Sequence, residues 1–141
     1  MLVSSMQDVA LLIKRLQNQH HKTLDAALGA IGLTLVQWDA LRHLSQHPGA
    51  SLHALAQLTF QSDQGFGTLA ARMEDRGLVQ REAGKGRTVT LTMTAKGQSL
   101  LADAAHVVDH TLTSTLGVLT QGELDDLHRL LDEALRPAST S

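Results

Sequence analysis

Residues 62–94, SDQGFGTLAARMEDRGLVQREAGKGRTVTLTMT, constrain the fold more tightly than any other stretch of the chain. Ser62 is a residue type that caps helices, and Phe66, Leu69, Ala70 and Met73 follow it at helical spacing. Gly77 supplies a stop, and there the period changes. Leu78-Val79 opens one strand, and Thr88 to Met93 alternates polar residues with Val89, Leu91 and Met93, the pattern of a half-buried strand. Gly84-Lys85-Gly86 lies between the two as a turn. The stretch therefore predicts a capped helix followed by a small basic hairpin.

Everything before and after this stretch reads as helix. From Ser5 to Leu28, Val9, Leu12, Ile13, Leu16, Leu24 and Leu28 form one apolar stripe, and Gly29 and Gly32 end it. Thr34 with Gln37 is a capping box for a second helix with Leu35, Trp38, Leu41 and Leu44 on one face, closed by His47-Pro48-Gly49. Ser51 caps a short third helix, and the turn Thr59 to Gln61 leads to Ser62. Two helices joined by so short a turn make a helix-turn-helix, whose second helix enters the DNA major groove. After the hairpin, Thr94 caps a fifth helix whose apolar side runs from Leu100 to Leu116, and Thr120 with Glu123 opens a sixth through Leu135. Pro137 and the small residues after it read as a loose tail. The expected fold class is mainly α with a small β-wing, in one domain over residues 1–141.

Composition narrows the function. Aromatics are only 2% of the chain, so Leu and Ala must fill the core, which suits packed helices. No cysteine is present, which excludes disulfides, thiolate metal sites and thiol redox sensing. No apolar run reaches the roughly 20 residues that span a bilayer, and the N-terminus does not read as a signal peptide. A cytoplasmic protein without a membrane partner is expected. Net charge is −2, but the charge is uneven: residues 62–97 carry six Lys and Arg against four Asp and Glu, whereas residues 98–141 carry two against seven. No nucleophile-base pair, Walker loop or dinucleotide fingerprint is present, so no catalysis is expected.

Leu55-Ala56, then Arg72-Met73-Glu74-Asp75-Arg76-Gly77-Leu78-Val79, then Arg81, Arg87 and Thr94-Ala95-Lys96-Gly97 resemble the MarR family of winged helix-turn-helix transcriptional regulators. Leu33-Thr34, Gln37-Trp38 and Leu41 to Leu44 resemble that family's second helix. The resemblance covers nearly the whole chain. It implies a ligand-responsive repressor, a homodimer in which residues 5–30 and 98–136 of two chains interleave and hold two winged lobes, residues 34–97, over a pseudo-palindromic operator in double-stranded DNA. The long apolar stripes of the first, fifth and sixth helices support pairing independently, because one small lobe cannot cover them.

Carried over position by position, the fourth helix reads DNA through Ser62, Gln64, Gly65, Gly67, Thr68 and Arg72, and the wing tip reaches a groove through Lys85 and Arg87. Two departures stand out. Gly65 and Gly67 occupy positions where relatives carry larger polar residues, at about 1 kcal/mol each in a helix interior. The wing is short, and GKGR replaces the family's Asp-Arg brace. A second reading follows from the glycines: a winged-helix protein-interaction module that no longer reads DNA.

Relatives often bind a small aromatic anion, and Trp38 with Arg42 and His43 could line such a cleft, although Trp38 is also in phase with Leu35, Leu41 and Leu44 as a core anchor. No cofactor is required by this reading, but a third one is metal-dependent. His106 and His110 lie one helical turn apart, as do Asp39 and His43. Zinc-sensing members of the family place ligands near His106 and His110, with Asp39 standing where they have a histidine, and Asp25 could add a carboxylate. The alternative is that these are surface or interface side chains.

Overall fold

A computed structural model describes residues 3–137, so the tail after Pro137 lies outside the described residues. The helices are α1 (Met6–Gly29), α2 (Leu35–Gln46), α3 (Leu52–Leu58) and α4 (Asp63–Asp75), followed by strands β1 (Val79–Ala83) and β2 (Val89–Met93), then α5 (Ala95–Leu112) and α6 (Gln121–Leu135). A single 3-10 turn, Leu116–Val118, separates the last two helices.

Each α-helix starts on a hydroxyl that accepts from the backbone N–H three residues on: Ser5, Thr34, Ser51, Ser62, Thr94 and Thr120. The reciprocal bonds of a capping box are present at Thr34–Gln37 and Thr120–Glu123, as expected, and also at Ser5–Asp8. Such caps satisfy donors that the helix itself cannot.

The strands pair antiparallel with Val79 opposite Met93 and Ala83 opposite Val89, and one bridge from Ser51 to Thr90 extends the hairpin toward α3. The core runs from the lobe into the arms: Leu41, Leu55, Phe66, Met73, Leu78 and Leu91 are fully buried, together with Leu28 of α1 and Ala104 of α5. Burying a side chain the size of Phe66 contributes about 1.5–3 kcal/mol. α4 packs on α3 and β1. Just past its end, Arg76 adds a polar link to α2 by donating to the Gln37 side-chain oxygen at 2.9 Å.

Gly97 fixes the joint between lobe and arm. Any side chain at this position would collide with the Leu78 carbonyl, so only glycine lets the first turn of α5 lie on the end of the α4–β1 connection. Thr94 adds a backbone bond to Leu78 and a hydroxyl bond to the Gly77 carbonyl.

α5 ends sooner than its apolar stripe suggested. Thr113, Ser114 and Thr115 turn their hydroxyls onto the carbonyls of His110, Thr111 and Leu112, competing with the helical ladder, and Leu116 falls in the 3-10 turn instead of on α5. His20 of α1 meets the Thr115 hydroxyl at 2.7 Å, which ties this irregular segment to α1.

Candidate DNA-reading face and effector cavity

The outward side of α4 carries the predicted readers. Gln64 and Arg72 are exposed, and the Arg72 side chain makes no ion pair or hydrogen bond among the described residues. The pairings that spacing allows here, Arg72 with Asp75 and Arg76 with Glu74, are not made among the described residues: Arg76 turns to Gln37, and Glu74 turns to Arg81. Two of the predicted readers have a structural role too. Ser62 accepts from Gly65 N–H at 3.0 Å as the helix cap, and the Thr68 hydroxyl donates to the Gln64 carbonyl at 3.1 Å. Their hydroxyls are therefore partly committed to the helix.

The two glycines differ. A Cβ at Gly65 would meet the Ser62 hydroxyl at 3.1 Å, so the cap and a bare position 65 fit together, whereas nothing lies within 4 Å of a Cβ at Gly67.

Lys85 and Arg87 sit exposed at the hairpin tip, which is closed by Gly84 N–H donating to the Thr88 carbonyl at 2.7 Å and by Gly86 at φ +69°. The hairpin is held against α4 by Arg81, a residue that the motif contained but that spacing gave no reason to single out. Its backbone N–H donates to Glu74 at 2.9 Å, and its guanidinium donates to the Gly67 carbonyl at 3.0 Å. A shallow cavity of about 420 Å³ borders this face, lined among others by Gln61, Gly65, Thr68 and Arg72.

Behind the lobe, α2 and α5 enclose a second cavity of about 440 Å³ that includes Trp38, Arg42, Leu101, Ala105 and Asp109. Arg42 lies over the Trp38 ring at 5.9 Å, and the indole N–H is buried with no partner among the described residues. A cation beside an aromatic face suits an aromatic anion, with the Asp109 carboxylate on the opposite, α5 side of the cavity. The neighbouring cavity of about 630 Å³ shares Ser45, Leu101 and Ala105, but no charged side chain lines it.

His43 does not join this site. One residue past Arg42, it projects from a different side of α2, where its ring meets the Asp39 carbonyl at 2.8 Å and the Asp39 carboxylate at 3.2 Å and stacks on His47. Burial raises the Asp39 carboxyl above its usual range, against the lowering effects of His43 and Arg42.

The metal expectation is corrected in the same way. Among the described residues no three histidine or carboxylate side chains come together at metal-binding spacing. Asp25 accepts the Leu35 N–H at 2.8 Å and so serves the start of α2; Asp39 is occupied by His43; His106 and His110 are exposed on α5.

Fold and face together define a winged helix-turn-helix DNA-binding protein. The MarR family's sequence profile matches residues 31–87. The HTH-type transcriptional repressor Rv2887 of Mycobacterium tuberculosis is 36% identical over 112 residues, covering 78% of this chain and 81% of that protein. The crystal structure of Rv2887 with salicylic acid aligns with a TM-score of 0.72 at 31% identity, covering 94% of this chain and 97% of the other. The structure of Rv2887 in complex with DNA aligns at 0.75 and 28% identity, covering 95% and 100%. The chain belongs to the MarR family of transcriptional regulators.

Proposed function

We propose that this regulator is a repressor that binds a pseudo-palindromic operator as a homodimer and releases it when a small aromatic anion binds. Residues 34–97 form the reading lobe, with Arg72 and Gln64 directed at base edges, Ser62, Gly65, Gly67 and Thr68 offering close approach of the helix backbone, and Lys85 and Arg87 reaching the flanking groove. The protein acts in the cytoplasm and performs no catalysis.

The observation that carries the ligand response is the cavity between α2 and α5, where the Arg42 guanidinium lies over the Trp38 ring. An aromatic ring can lie beside Trp38 while Arg42 balances the charge of its carboxylate or phenolic oxygen. The salicylic acid complex of Rv2887 supports this ligand class. Because the cavity lies where α2 meets α5, filling it alters the seat of the lobe on the arm. Half-sites recur about 34 Å apart, so a small change in the separation of two α4 helices lowers affinity.

Salicylate is the probe. Titrated into the complex of the protein with the DNA upstream of its coding region, it should release the wild-type protein. The Arg42→Ala variant should retain the operator and need at least about tenfold more salicylate. Equal sensitivity of the two proteins would remove this cavity from the reading.

A further inference from the structure

The chain has two phenylalanines, and they are used in opposite ways. Phe66 is fully buried in the core, whereas Phe60, in the turn between α3 and α4, is 95% exposed. Phe60 is also the only non-glycine residue with positive φ among the described residues, at +57°. Thr59 to Gln61, a turn by its sequence, is a strained turn that displays an aromatic ring.

The strain originates in the end of α3. Gln61 N–H reaches back to the Ala56 carbonyl at 2.9 Å, and the Thr59 hydroxyl donates to the Leu55 carbonyl at 2.8 Å. This closure places the residue between them in the left-handed region, where glycine or asparagine is favoured and a bulky side chain is an outlier. No packing inside the chain compensates, because almost the whole ring is in solvent. Residues held in such a conformation cluster at sites that serve a ligand.

The position indicates the ligand. Phe60 lies three residues before α4, at the end of that helix whose first residues meet base edges in a helix-turn-helix. The next residue, Gln61, lines the same cavity as Gly65, Thr68 and Arg72, so the turn is continuous with the reading face.

We propose that Phe60 is a DNA-contacting residue whose ring makes an apolar contact with the operator beside the N-terminus of α4. The inference rests on the reading of α4 as the major-groove helix. An uncharged ring cannot neutralise phosphate. What duplex DNA offers it is apolar carbon, either the thymine methyl group or the C–H face of a deoxyribose.

The test uses the full-length protein and the duplex upstream of its coding region, with Phe60→Gly and Phe60→Asn, two residues that accept the left-handed backbone. Both variants should be at least as thermally stable as the wild type and bind at least about tenfold more weakly. The slope of log affinity against log salt should stay the same, because no phosphate contact is lost. Replacing thymines by uracil one at a time separates the two carbon sources. A position at which the wild type loses affinity and Phe60→Gly does not identifies a methyl contact, and a variant defect with no such position identifies the sugar. Wild-type affinity in both variants would overturn the proposal. So would weaker binding accompanied by lower stability or a changed salt slope, which would make Phe60 a support of the lobe. Failure of the wild type itself to bind would instead count against the DNA reading beneath it.

Discussion

Asp39 shows how a single residue can be misread from spacing. One helical turn from His43, it resembled half of a ligand pair, yet it is half-buried and already engaged by that histidine. Its raised pKa has a consequence with a definite sign. A carboxyl whose folded value lies above the unfolded one binds its proton more tightly in the folded state, so stability is lost as pH rises from the ordinary value of 3.8 through the folded one. Thermal unfolding of Asp39→Asn should match the wild type in acid and show an advantage over it as pH rises toward about 7, the difference being modest because the side chain is 38% exposed. A wild type that gained on Asp39→Asn with rising pH would mean that the pairing with His43 outweighs burial. Trp38 was the clearer residue in the sequence. Its phase with Leu41 and Leu44 placed it against the core, and in the structure it packs there and borders the cavity between α2 and α5.

Elements were legible wherever local chemistry decides them. The hydroxyl caps, the stop at Gly77 and the change to period two gave the helices and the hairpin to within a residue or two, except at the end of α5, which stops at Leu112 rather than Leu116. Long-range polar contacts were not, because nothing local announces them. Arg81 sits on an alternating strand like any exposed residue, and only folding brings it to Glu74 and to the Gly67 carbonyl on α4. It sets the hairpin against the helix in place of the Asp-Arg brace that the wing tip lacks in sequence. Arg81→Ala should therefore weaken operator binding by about 1 kcal/mol, roughly fivefold, and free the hairpin while leaving the core intact. Binding isotherms together with amide exchange in residues 79–93 check this. Faster exchange without loss of affinity would separate wing order from DNA binding.

At the scale of the whole molecule, the unused apolar surface lies on the arms. No residue of α6 is buried, and Leu130, Leu131 and Leu135 are exposed, as are Val9, Leu12 and Ile13 of α1. The sequence grouped α5 with them, but its stripe is covered within the chain by the core, through Ala104 and Val108; the uncovered stripes of α1 and α6 are what a second copy would cover. The acidic charge of residues 98–141 then lies in the arms, and the cations at Arg72, Lys85 and Arg87 lie in the lobes, where none of the three is neutralised by an ion pair among the described residues. The sequence could show which stripes need covering but not their relative placement, since that depends on contacts between chains. Exposed cations on both α4 and the wing tip suit the two elements to act together. The measurement that tests this most directly is a titration of the duplex upstream of the coding region with the wild type and with the Arg72→Ala, Lys85→Ala, Arg87→Ala triple variant at several salt concentrations. A complex of two chains per duplex that resists competitor DNA and weakens with salt, and that the triple variant loses along with most of the salt slope, is the predicted result. Equal affinity and slope in the two proteins, or no complex with the wild type, would contradict it and favour an interaction module on the same fold.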